Sequence, residues 1–310
     1  MPTRNAHPGP VAAAPAPASE TNGIGSAGAW AAGAVVAAVL LWSHWSMLRA
    51  LWRDWDSDPN YSVGRLVPLA ALYLLWQDRR GLAACRLEPC LWGFALLLAG
   101  LAGRFYGLLY LFESAERYSF VLTIAGLTLL IAGKQVLWRV RWILAFLLLM
   151  APLPGKLHNL ISSPLQEWAA SGSVFVLELA GVEVAREGNV LILNYAVPIG
   201  IAEACSGLRM LTAFVVVAAV FAFLVDRPRW QRATLVISSV PVAIICNIAR
   251  VAATAGLYLA VDSRVAETFF HDFAGITMMP IAIALLVGEL WLLNRLVTPD
   301  TPAPRAAARR

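Results

Sequence analysis

From Leu208 to Val225 the chain carries one charged residue, Arg209, and from Ala233 to Val261 again only one, Arg250. Runs of this kind narrow the possible folds sharply. Inside hydrocarbon every backbone N–H and C=O needs an internal partner, and helices supply it within one segment. Apolar stretches near residues 29–48, 63–76, 90–112, 119–137, 140–153 and 274–293 bring the set to about eight. The second and fifth are short, and the seventh (residues 233–261) is long enough to tilt or break. The expected fold class is therefore an all-α polytopic membrane protein of about eight transmembrane helices. Composition agrees: 59% of residues are hydrophobic and 14% charged, against about 25% charged in ordinary soluble domains.

The loops between these runs differ in charge. Arg79, Arg80 and Arg86, then Lys134, Arg139 and Arg141, then Arg227, Arg229 and Arg232, then Arg295, Arg305, Arg309 and Arg310 fall in alternate loops and the C-terminal tail. The other loops hold most of the acids, among them Asp54, Asp56, Asp58, Glu113, Glu116, Glu167, Glu178, Glu183, Glu187, Asp262, Glu267 and Asp272. Lysine and arginine mark the cytoplasmic side, which puts both termini there. The net charge of +5 is a topology signal. No basic stripe interleaved with aromatics points to nucleic acid.

Residues 1–28, rich in Pro, Ala and Gly, read as a disordered cytoplasmic tail, and 294–310 as a second one. The body spans 29–293, with its largest outer segment at 152–205. There Ile161, Leu165, Trp168, Phe175 and Leu179 recur at three- and four-residue spacing, giving an amphipathic helix fit to lie on the surface or cap the bundle. Residues Val182–Arg186 and Val190–Leu193 flank a Glu187-Gly188-Asn189 turn and read as a hairpin. No internal repeat of the transporter kind is evident.

The four cysteines are too few and too scattered for a disulfide framework, and none has metal-ligand spacing with histidine. No cofactor or metal is implied. Cys205 is the sharp candidate, because it stands where the sixth apolar run begins and a helix N-terminus lowers a thiol's pKa. Arg209 follows four residues later, over the same face. A buried small hydrophobe is the alternative reading of Cys205, and the one that fits Cys246.

Arg250, ionised within an apolar run, requires a partner or polar cavity. It either favours thiolate and stabilises an oxyanion or serves as a salt-bridge or headgroup anchor, and Asn247, one turn earlier, is placed to orient it. His271 titrates in the range of a proton shuttle, with a plain surface histidine as the alternative. Glu203 positions its loop or takes part in proton transfer, with a solvated acid as the alternative, and Glu289 reads as a structural polar contact. His7, His44 and His158 form no comparable constellation. The charge-derived topology brings Cys205, Arg250 and His271 to one depth at the outer boundary, an arrangement suited to acyl transfer through a thioester.

These segments resemble the exosortase/archaeosortase membrane proteins. The resemblance rests on Ala204-Cys205-Ser206-Gly207-Leu208-Arg209, Asn247-Ile248-Ala249-Arg250 and His271-Asp272-Phe273-Ala274-Gly275, in that order. It extends to Asp58-Pro59-Asn60-Tyr61-Ser62, Pro152-Leu153-Pro154 and Arg186-Glu187-Gly188-Asn189. It implies a cysteine transpeptidase or protease of the bacterial inner membrane, facing the periplasm. Its expected partners are proteins with C-terminal Pro-Glu-Pro-type sorting signals and an envelope acceptor of unspecified chemistry, often in exopolysaccharide-producing cells. By the family pattern Cys205 is the nucleophile, Arg250 the stabilising cation and His271 the acid/base, with Arg209, Asn247 and Glu203 in support. The chain departs from the family at Val63, where histidine is usual. The competing class is a non-enzymatic transporter or an exopolysaccharide or envelope-assembly membrane protein.

Overall fold

The computed structural model describes residues 27–188, 190–194, 197–200, 207–260 and 274–296. The chain divides into two compact units, and the first ends at Ser43. Its described part is helix α1 (Ala27–Ser43), which exposes Val35, Val39 and Trp42.

The second unit opens with α2 (Trp45–Ser57), whose Met47, Leu51 and Trp55 are buried at four-residue spacing. Asp58 Oδ1 then accepts from the Asn60 amide at 2.8 Å and starts a 3-10 helix, Pro59–Arg65. Pro59 suits that first position because its missing N–H has no partner to lose. Helices α3 (Leu66–Gln77) and α4 (Arg79–Ala83) follow.

Helices α5 (Trp92–Leu109) and α6 (Glu113–Ile131) are the closest pair. Gly93, Gly100 and Gly107 recur every seven residues on the buried face of α5. A methyl group on Gly93 would fall 2.4 Å from the Leu130 nitrogen, and one on Gly100 2.6 Å from Thr123 Oγ1. Small residues at such a seam let two backbones approach where lipid offers no hydrophobic drive to association. Arg117 on α6, 4% exposed, is neutralised by Asp54 and Glu113.

Helix α7 (Lys134–Leu147) runs into a short 3-10 turn, and α8 (Gly155–Leu179) follows after an 81° bend. The amphipathic helix expected from the sequence is present. Ser162, Leu165, Ala169, Ala170, Ser173 and Leu177 face inward, whereas Trp168, Phe175 and Leu179 are exposed. The small residues give close packing against the bundle, and large apolar side chains lose nothing by facing lipid.

Three antiparallel strands come next, β1 (Val184–Glu187), β2 (Val190–Leu193) and β3 (Val197–Gly200). The expected hairpin is β1–β2, closed by the Glu187–Val190 pair, with Gly188 at φ +62° in the turn. β3 is an addition: it lies at the sheet edge, where Pro198 is tolerated because an edge strand can spare an N–H. Leu191 and Leu193 are fully buried against Ala170 and Leu177 of α8 and against Val251, Ala252 and Ala255.

Those last residues belong to α10 (Arg229–Ala260), which runs unbroken through Pro241 and pairs with α9 (Gly207–Leu224). The last helix is α11 (Ala274–Leu296). Ala282 packs with Met210, Phe214 and Ala243, and Leu286 with Ala218 and Leu235. Moving along α11 therefore advances along α9 and retreats along α10. Ser238 donating to Glu289 at 2.7 Å obeys the same register and gives Glu289 the structural role read from sequence.

Among the described residues, four helices (α5, α6, α9 and α10) are long and apolar enough to cross a membrane, or up to six spans if each bent pair counts as one. All eight apolar stretches are helical, but α3 has 12 residues and α7 has 14. At 1.5 Å per residue these reach about 18 and 21 Å, short of a hydrocarbon core of about 30 Å. The chain is an all-α polytopic membrane protein with one small sheet.

Candidate active site

The start of α9 and the side of α8 meet around Asn247 of α10. This residue is 2% exposed, and its Oδ1 accepts from Arg250 Nη2 at 2.8 Å. The same amide's Nδ2 stands 3.1 Å from where a side chain on Gly207 would begin, with Leu165 Cβ of α8 at 3.3 Å. Gly207, the first residue of α9, thus lets that helix start directly against the amide that holds Arg250. Three-residue spacing on α10 is what puts Asn247 and Arg250 on one face. Half-buried Arg250 is thereby fixed beside the beginning of α9.

The electrostatics at that end favour an anion. The N-terminus of α9 carries the positive pole of the helix dipole, and its first turn holds no acid but does hold exposed Arg209. Guanidinium and helix N-terminus together suit a thiolate or a developing oxyanion.

The register of α11 bears on the same place. Ala282 sits beside Met210, Phe214 and Ala243. Eight residues back along α11, about 12 Å, the antiparallel register brings Ala274 level with Val251 of α10, while the same step back along α9 from Met210 or Phe214 passes its first residue, Gly207. Cys205, two residues before Gly207 in sequence, and His271, three before Ala274, lie outside the described residues, as does Glu203.

A small sheet leads into this region. β3 ends at Gly200, and the sheet is anchored on α8 and the end of α10. Arg186 secures it by donating from Nη1 to Ser171 Oγ at 2.7 Å and from Nε to the Gly188 carbonyl at 2.9 Å. On α8, Ser173 Oγ approaches the Ile248 carbonyl at 3.3 Å, one residue beyond Asn247.

The opposite flank of α9 holds the 3-10 helix. Thr212 Oγ1 donates to the Asn60 carbonyl at 3.1 Å. The next residue, Tyr61, shares a 2.6 Å hydrogen bond between its Oη and Nδ1 of His158 on α8. Burial pushes the Tyr61 phenol above its ordinary pKa, so it keeps its proton. Sequence reasoning passed over His158, whose partner lies 97 residues away. Val63, the departure from the family pattern, is buried. Among the described residues no group of three or more His, Cys, Asp or Glu could hold a metal.

A family model for the transmembrane exosortases matches residues 55–288. The chain belongs to that family. The match takes in every exosortase segment gathered here, from the 3-10 helix through the Asn247–Arg250 turn to α11. No curated protein and no solved structure matches the chain.

Proposed function

We propose that this exosortase is a cysteine transpeptidase of the bacterial inner membrane. It crosses the membrane eight times, with α3 and α7 as the two short crossings, and keeps both termini in the cytoplasm. At the periplasmic face it cleaves C-terminal sorting signals of the Pro-Glu-Pro type and transfers the protein to an envelope acceptor. The substrate's own transmembrane helix docks against the spans and presents a juxtamembrane amide, so the thiol need not find that bond from solution.

The Cys205 thiolate attacks the carbonyl carbon, and Arg250 stabilises the oxyanion. His271 protonates the amine as the C–N bond breaks. An acceptor amine, or water, then attacks the thioester carbon, and the C–S bond breaks to return the thiolate. Arg209 raises the positive potential at the helix start, and Asn247 holds Arg250 in place. Glu203 positions its loop.

The observation that carries this reading is the Asn247 amide, which contacts Gly207, two residues after Cys205, while it accepts from Arg250. A charged residue anchored within an apolar helix, beside the start of another, fits a reaction that develops negative charge there better than it fits plain helix packing.

Co-expression with a protein bearing a Pro-Glu-Pro tail, read by intact mass, tests the proposal. The product is expected to lose its tail and gain the mass of the acceptor, and a free carboxylate instead would mean hydrolysis. Cys205→Ala, Arg250→Ala and His271→Ala should each leave the substrate uncut in an inserted protein. Processing by the Cys205→Ala variant contradicts the mechanism, and a silent Cys205→Ser with altered solute flux on deletion would favour a transporter.

A further inference from the structure

The sheet ends on an open edge. Its order is β1-β2-β3, and among the described residues nothing pairs with the outer side of β3. Such an edge is a template for another extended chain. Register decides which of its groups are free. The Asn194 amide donates to the Glu183 carbonyl at 2.8 Å, toward β1. Successive residues of a strand direct their backbone groups to alternate sides, so Ile192 also faces β1, while Leu191 and Leu193 face β3. Their partners Ile199 and Val197 therefore turn inward, and Pro198 and Gly200 turn outward. Exposed Pro198 loses nothing there, because its missing N–H lies on the open side. The edge thus offers the Pro198 carbonyl and both backbone groups of Gly200.

The edge also lies close to the candidate site. Leu191 and Leu193, the partners of Ile199 and Val197, are buried against Val251, Ala252 and Ala255, just after Arg250 on α10. Beyond the strand, Gly200 precedes Gly207 by seven residues, with Cys205 between them. Gly207 itself abuts Asn247. A chain running beside β3 in the same direction is therefore carried toward the start of α9.

We propose that the open edge of β3 binds the sorting motif as a fourth, parallel strand, with the motif's Glu opposite Ile199. The inference takes its occupant from the transpeptidase reading above. In a parallel pair, one residue bonds to the two neighbours of the residue it faces. The Glu N–H donates to the Pro198 carbonyl, and the Glu carbonyl accepts from the Gly200 N–H. The motif's two prolines then fall where an amide would face away from β3, so neither lacks a bond it could have made. A residue before proline is held extended, so the Glu arrives in strand conformation. The prolines also close the new edge to any further strand. Main-chain bonds of this kind supply affinity for an extended peptide. The opposite direction would carry the residues after the motif away from Cys205.

The test uses the full-length protein with its four cysteines replaced by serine, so that docking is read without chemistry. The Ile199→Cys form is mixed in detergent with a carrier protein whose tail reads Pro-Cys-Pro, then mildly oxidised. Neighbouring strands lie about 4.8 Å apart, within reach of a disulfide, and a crosslink is expected. Val197→Cys should capture a cysteine placed two residues before the Glu position, as a parallel strand requires. Capture two residues after it overturns the inference, as does equal capture by Val184→Cys on the opposite edge. A second measurement, on the wild-type enzyme, covers the case in which a cysteine variant fails to fold. A synthetic signal with N-methylated Glu loses the bond to Pro198, so its KM should rise about 10-fold with kcat kept. An unchanged KM overturns the inference. Crosslinks in the expected register, beside a wild-type enzyme that leaves Pro-Glu-Pro tails uncut, would keep the docking edge and sink the transpeptidase reading instead.

Discussion

Asn247 accepts from Arg250 Nη2 at 2.8 Å while its amide nitrogen occupies the space a side chain on Gly207 would need. One buried amide therefore fixes the guanidinium relative to the start of α9. Asn247→Ala removes that fixture and leaves the helix intact. Processing is expected to fall on the order of 10²-fold, the scale of a small misplacement of a catalytic group. Membrane insertion and yield should be unchanged, and kinetics on purified protein would check both.

Gly207 offers a graded test of the same contact. Alanine there places its methyl 3.1 Å from Asn247 Nδ2 and 3.3 Å from Leu165 Cβ, so the neighbours must yield by a few tenths of an ångström. Gly207→Ala should reduce processing only several-fold, because alanine is also the better helix former. Gly207→Val should abolish it, by displacing the amide and with it Arg250.

The seam between α5 and α6 makes a stability prediction separate from catalysis. A side chain on Gly93 meets backbone, the Leu130 nitrogen at 2.4 Å, and backbone cannot swing aside. Gly93→Leu should cost about 1–3 kcal/mol of stability, read as a lowered Tm in detergent. Gly103→Ala on the same helix, whose nearest contact is 3.4 Å away, should cost little.

Arg186 ties the sheet to α8 through Ser171 and closes its own turn on Gly188. Arg186→Ala loses both bonds, at about 0.5–1.5 kcal/mol each. The hairpin should then become the first site of proteolytic nicking, with processing reduced several-fold. Limited proteolysis followed by mass spectrometry would locate the cut.

The legible parts of the fold are those written in local pattern. The run 208–225 became Gly207–Leu224, and 233–261 became Arg229–Ala260, because charged residues bound each run. Gly188 announced the hairpin through its positive φ. β3 escaped notice because four residues containing Pro198 carry no strand signal, and a neighbouring edge supplies what they lack. The amphipathic pattern of α8 was legible, but which of its faces packs inward was not, because burial of large apolar residues is a rule of water, not of lipid. Of the site, the Asn247–Arg250 pair followed from spacing on one helix. The Tyr61–His158 pair joins segments 97 residues apart, and no periodicity announces such a contact.

The central claim is that the thiol of Cys205 works at the outer face, activated by the cation that Asn247 holds. With Cys85, Cys90 and Cys246 replaced by serine, Cys205 is the last cysteine in the chain. Intact spheroplasts would be treated with a membrane-impermeant maleimide and the labelled protein weighed. One label should be gained at neutral pH without opening the membrane, and more slowly in Arg250→Gln, where less thiolate is present. Labelling only after the membrane is opened from the cytoplasmic side would contradict the claim.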